Sequence, residues 1–154
     1  MIIRIISGGQ TGADRAALDF AIWENIPHGG WVPKGRRTEA GPLPQRYRLR
    51  EMPTDRYEAR TEQNVRDSDG TLILSRGPLE GGSGLTRQMA ERHGKPFFHA
   101  DMARLSVSAA KAAIRPWLDG HGIGTLNVAG PRASEDPRIY AITLRLLESL
   151  FTDR

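Results

Sequence analysis

A nearly unbroken run of β-branched residues, Ile2, Ile3, Ile5 and Ile6, gives way at Ser7 to Gly8-Gly9-Gln10-Thr11-Gly12, and a helical pattern over 13–24 follows at once with Ala17, Leu18, Ala21 and Ile22 on one face. A strand without polar alternation is buried on both faces, which the interior of a parallel sheet provides. The intervening glycines allow positive φ and close approach of backbone to a ligand. Thr11 is expected to cap the helix and Asp14 to close a capping box, leaving the other first-turn N–H groups turned toward the loop. The spacing is Gly9-x-x-Gly12, and no G-K-[ST] follows, so neither the dinucleotide fingerprint nor the P-loop is met.

The unit recurs along the chain. Thr71-Leu72-Ile73-Leu74 repeats the buried-strand signature, Gly77, Gly81, Gly82 and Gly84 repeat the loop, and a helix is expected from Leu85 to His93, stopped by Gly94. Lys95 to His99 reads as a further strand and Ser106 to Leu118 as a helix. Thr125 to Ala129 is a strand, Gly130-Pro131-Arg132 a turn, and Asp136 with Pro137 opens a last helix carrying Ile139, Ile142, Leu146 and Leu150 on one face. Between the first two units, Ile26 to Val32 turns into a short strand, Thr38 to Gln45 is irregular, Tyr47 to Met52 is a short strand, and Tyr57 to Asp67 is helical. Repeated strand, glycine turn and helix predict an α/β fold with a doubly wound, mostly parallel, Rossmann-like sheet, in a single domain spanning 1–154. The loops at 7–12, 77–84 and 130–132 should then share the carboxyl edge, where such sheets bind ligands.

Charge points to the same edge. The chain carries +4 with 19 Arg against 3 Lys, and arginine is the side chain suited to bidentate oxyanion recognition. Six of the basic residues, Lys34, Arg36, Arg37, Arg46, Arg48 and Arg50, fall in one segment that holds a single acid, Glu39. The first loop offers Ser7, Gly8, Gly9, Gln10, Thr11 and Gly12, and the second Gly81, Gly82, Ser83, Gly84 and Thr86. Lys34, Arg36 and Arg37 are expected to close over them, Arg132 to approach from the last strand, and Arg60 and Asn64 to share a helix face toward the same crevice. These are the candidate binding residues for a small anionic ligand.

Other classes are set aside. The chain has no cysteine, which excludes disulfides, thiolate metal sites and a cysteine nucleophile and fits a cytoplasmic protein. No leader or membrane-spanning run is apparent. His28, His93, His99 and His121 lack metal-ligand spacing, no G-x-S-x-G elbow occurs, and Asp14, Glu39 and Glu80 assemble no acid/base pair, so neither a metal centre nor a catalytic residue is assigned. No aromatic series alternates with the arginines, which argues against nucleic-acid binding.

The segments Ser7-Gly-Gly-Gln-Thr-Gly-Ala-Asp14, Gly29 to Arg37, Arg60-Thr61 with Asn64-Val65, Ser68-Asp-Gly-Thr71, Gly81-Gly-Ser-Gly84 and Asn127 to Arg132 together resemble the family of molybdenum carrier proteins, almost end to end. That family is related to the Rossmann-like superfamily of the lonely-guy (LOG) phosphoribohydrolases. The resemblance implies a doubly wound fold, a dimer or tetramer, and a carrier role for molybdenum cofactor or molybdate across the glycine loops, with molybdoenzymes as recipients. Molybdenum cofactor brings its own sulfur ligands, so its carrier needs N–H groups and arginines and no cysteine. LOG-type enzymes carry a catalytic glutamate after P-G-G-x-G-T. Here the loop runs Glu80-Gly-Gly-Ser-Gly-Leu85-Thr86, without that acid, which leaves nucleotide binding or phosphoribohydrolysis as the alternative.

Overall fold

The computed structural model describes residues 1–152. In chain order the elements are β1 (Arg4–Ile6), α1 (Ala13–Trp23), β2 (His28–Gly29), β3 (Trp31–Val32), β4 (Arg50–Glu51) and α2 (Tyr57–Asp67). They continue with β5 (Gly70–Ser75), α3 (Gly81–Arg92), β6 (Phe97–Asp101), α4 (Val107–Gly120), β7 (Thr125–Ala129) and α5 (Ile139–Thr152). Five strands form one parallel sheet in the order β2-β1-β7-β5-β6, as the alternating pattern demands, while β3 and β4 pair separately as a two-stranded parallel ribbon. The last strand lies in the middle. β1 and β2 lie to one side of it and β5 and β6 to the other, each pair running outward in chain order, so the switch point of the sheet lies at β1-β7-β5.

The core fills one face. Ile5, Leu72, Leu74, Leu126 and Val128 point from the sheet into α1, α4 and α5. On the opposite face α2 and α3 pack together over a more polar floor that includes buried Thr71 and Asn127, whose Nδ2 donates to Thr71 Oγ1 at 3.2 Å. A small second core of Leu18, Val32, Leu43, Tyr47 and Leu49 lies under the segment that links β3 to β4. Among the described residues no helix is long and apolar enough to cross a membrane.

Some boundaries differ from expectation for definable reasons. β1 begins only at Arg4: Ile3, whose N–H donates to the Gly124 carbonyl at 2.8 Å, is 65% exposed, while Ile2 packs against the main core. The strand expected over Tyr47–Met52 shrinks to Arg50–Glu51. α5 starts at Ile139: Pro137-Arg138 form a turn ahead of it, while Asp136 Oδ1 accepts the Arg138 N–H at 3.1 Å and both carboxylate oxygens accept from Arg76, at 2.8 and 2.7 Å. α3 starts earlier than expected, at Gly81, so the second glycine loop is already the first turn of the helix.

Candidate functional site

At the carboxyl edge of β1, β7 and β5 a crevice of about 90 Å³ opens between the first glycine loop, the N-terminal halves of α2 and α3, and the turn after β7. Its floor is a buried ion pair. Arg60, from α2, lays its guanidinium across the first loop, where Nη1 donates to the Gly8 carbonyl at 2.5 Å and lies 3.5 Å from Asp14 Oδ2. A Cβ at Gly8 would sit 1.9 Å from that nitrogen, so glycine is required there for the arginine to pass. Gly12, at φ +81°, lets loop and turn meet: a Cβ would lie 2.4 Å from the Pro131 carbonyl. Arg60 is 8% exposed, yet its Nε–H has no hydrogen-bond partner.

The cradle of backbone amides is already filled by the protein itself. Asp14 Oδ2 accepts from the Gln10 N–H at 3.3 Å and the carboxylate also receives the Gly8 N–H, while the Gly9 N–H donates to Ser7 Oγ and the Thr11 N–H to Gln10 Oε1. Asp14 therefore acts as an internal anion rather than as the capping-box partner of Thr11. Gly12 is the N-cap of α1, and Thr11 Oγ1 instead donates to Glu39 and accepts from the Ala133 N–H at 3.0 Å. Burial pushes the Asp14 carboxyl up to about 6, against the pull of Arg60, the Gln10 N–H, Arg15 and the Gly8 N–H.

Opposite this floor, α3 presents the first-turn amides of Gly81 and Gly82, which precede the first helical bonds from Ser83 and Gly84 to Glu80. Ser83 and Thr61 contribute hydroxyls, Asn127 a carboxamide from the floor, and Tyr57 and Leu85 apolar surface. The positive end of α3 and the Arg60 guanidinium thus face one small volume, an arrangement suited to negative charge.

Of the residues expected at a crevice, Gly8, Gln10, Arg60, Asn64, Gly82, Ser83, Thr86 and Arg132 line it. Asn64 does so with its amide committed, receiving the Trp31 N–H at 2.8 Å and donating to the Trp31 carbonyl at 3.0 Å, so it fastens β3 to α2. Thr86 Oγ1 donates to the Gly82 carbonyl at 2.9 Å. Arg132 is flanked by acids, with Nε 3.3 Å from Glu135 and 4.0 Å from Glu39. Ser7, Gly9, Thr11, Gly12, Gly81 and Gly84 shape the walls without lining the space, Gly9 packing toward Leu43 and Leu49.

The basic segment does not close over the loops. Arg36 is buried in the second core and donates to the carbonyls of Leu43, Pro44, Tyr47 and Leu49 at 2.7–3.3 Å. Its backbone is left-handed, φ +57°, which turns the side chain inward. Arg37 donates to the Asp55 carbonyl and stacks 4.3 Å above the Tyr57 ring, and Lys34 is exposed. The residues missed were Asp14 as a floor carboxylate, Tyr57, Leu85, Asn127, and Glu135 and Glu39 as the acidic partners of Arg132. Only Asn127 carried a readable signal, a carboxamide in the middle of an otherwise apolar strand.

A parallel sheet with its last strand at the centre and a crevice at the switch point defines a Rossmann-like α/β protein. More narrowly, the chain belongs to the Circularly permutated YpsA SLOG family, whose model matches residues 5–151. It is similar to a crystal structure from Syntrophus aciditrophicus SB described as "Putative molybdenum carrier protein", with 58% identity over 97% of this chain and 95% of that one, at a TM-score of 0.97. No curated protein matches it.

Proposed function

We propose that the chain is a carrier that binds molybdenum cofactor or molybdate through its oxyanion groups and holds it without chemical change. The observation that carries this reading is the buried Arg60, whose Nε–H lacks a protein acceptor beside a helix N-terminus and several hydroxyl donors. A buried guanidinium donor left unpaired is costly unless something else accepts from it. The description of the Syntrophus protein, at 58% identity, supports molybdenum as the element concerned. Among the described residues no three His, Cys, Asp or Glu side chains gather around a common point. The cargo would accordingly be held by its oxygen atoms, through Arg60, the Gly82 amide, Ser83 and Thr61. In this reading the ligand displaces Asp14 from its share of Arg60.

Tyr57 and Leu85, which give the crevice an apolar wall, favour a nucleoside monophosphate as the second reading. Both are tested by elemental analysis and mass spectrometry of the protein purified from its native host. The carrier reading expects molybdenum, with or without a pterin, in near-stoichiometric amount. A purine nucleotide in that amount without molybdenum, or release of base and ribose 5-phosphate from a nucleoside monophosphate, would replace it with the second.

A further inference from the structure

A second polar concavity, of about 110 Å³, lies beside Trp31 and shares no lining residue with the crevice. While Asn64 holds the Trp31 backbone, the indole turns away toward Arg4 of β1, Arg48 before β4, Arg50 on β4 and Asp67 at the end of α2. Three guanidiniums from two separate stretches of chain thus line one small space. Among the described residues none of the three has an acid within 4.0 Å, whereas Arg60, Arg76 and Arg132 each do.

The surroundings arrange these charges rather than neutralise them. Gly29 makes room for Arg4, since a Cβ there would lie 2.2 Å from its Nη2. Arg50 sits 5.6 Å from the Trp31 ring centroid, a cation–π contact that limits where its fork can lie. The one acid at the rim, Asp67, is occupied by neutral donors: Oδ2 takes the Trp31 indole N–H at 2.7 Å and Oδ1 the Gln63 amide at 2.9 Å. From β2, His28 accepts the Arg48 backbone N–H at 3.1 Å, and burial together with Arg48 and Arg4 holds its pKa below the ordinary value, so it adds no charge at neutral pH. Three like charges converging on a polar hollow, with one committed carboxylate, leave an excess that a tetrahedral dianion would offset.

We propose that Arg4, Arg48 and Arg50, with Trp31, form a second anion site that takes the phosphate group of a small phosphate ester or pyrophosphate, independent of the crevice at Arg60. Forked donors from several directions fit a phosphoryl group with several acceptor oxygens better than a planar carboxylate. The Asp67 carboxylate at the rim selects against a long polyanion that would have to run past it.

The test is a titration of the isotopically labelled protein with inorganic pyrophosphate. It follows the Trp31 indole N–H by NMR, assigned with Trp31→Phe and resolved from the indoles of Trp23 and Trp117. A saturable shift is expected with a Kd of about 1 mM or tighter, the range of a small multiply charged ligand at a solvated site. Arg4→Ala and Arg50→Ala should each weaken it at least tenfold, Arg4→Lys and Arg50→Lys less so, and Asp67→Asn should tighten it. Arg60→Ala should leave it unchanged. The proposal is overturned if the Trp31 indole does not move by about 10 mM pyrophosphate, ten times the expected Kd. It is equally overturned if the shift survives in the Arg4→Ala/Arg50→Ala double variant, or if it disappears with Arg60→Ala. Should the alanine pair unfold, the lysine pair decides: an affinity equal to the native one shows that the forks play no part.

Discussion

Acidification should tighten the hold of the Arg60 crevice on an oxyanion, and Asp14 is the reason. In the free protein its carboxyl titrates at about 6, raised by burial and partly restrained by Arg60, the Gln10 N–H, Arg15 and the Gly8 N–H. Above that pH the carboxylate satisfies Arg60 and repels an arriving anion; below it the carboxyl is neutral and the guanidinium is left for the ligand. One extra negative charge about 5 Å from the carboxylate, at an effective dielectric of about 20, costs about 3 kcal/mol. A bound anion therefore raises the Asp14 carboxyl further above about 6, by more for a dianion than for a monoanion. Because the proton is taken up with the anion, affinity rises as pH falls toward about 6, by up to about tenfold per pH unit, and levels off below, where the free protein is already protonated. Isothermal titration with sulfate, which keeps both charges across this interval, measures the slope, and repeating it in buffers of different ionisation heat counts the proton. Asp14→Asn should flatten the profile near its low-pH value. A pH-independent affinity in the native protein, or a slope that persists in Asp14→Asn, would show that Asp14 does not compete with the anion for Arg60.

Arg36→Ala should lower stability by about 3–5 kcal/mol in chemical denaturation, since it removes four charge-assisted hydrogen bonds and leaves buried carbonyls unpaired. A loss under about 1 kcal/mol would place Arg36 back among solvated surface charges. Gly8→Ala should displace Arg60 and cost about 1–3 kcal/mol, the range for forcing an atom into packed space, with sulfate affinity falling in parallel. Arg132→Ala, by contrast, should change stability by no more than about 0.5–1 kcal/mol, because its acid partners Glu135 and Glu39 are reached at a solvated rim.

Local pattern carried the fold a long way. α2 runs from Tyr57 to Asp67 as its spacing predicts, β7 covers Thr125–Ala129, and the strand built on Thr71–Leu74 is buried throughout because it lies inside a parallel sheet. What sequence does not display is where a charged side chain points and what it meets. Arg36 and Arg37 are neighbours, yet a left-handed φ sends the first into the core while the second stays outside on Tyr57. Glu39 meets Ser134 across 95 positions, and Arg60 meets Gly8 across 52, so neither the acids beside Arg132 nor the arginine across the first loop had a local signature. In the free protein the first glycine loop turns the Gln10 N–H toward Asp14, only four residues further on.

Whether the crevice at Arg60 takes an oxyanion is decided by a crystal soaked in tungstate, the heavier analogue of molybdate, with the ion located by its anomalous signal. A peak is expected in the crevice, within hydrogen-bond distance of Arg60 and of the Gly82 or Ser83 groups at the start of α3, and it should be lost in Arg60→Ala crystals. Tungstate found only elsewhere on the surface, or unmoved in the Arg60→Ala protein, would contradict it.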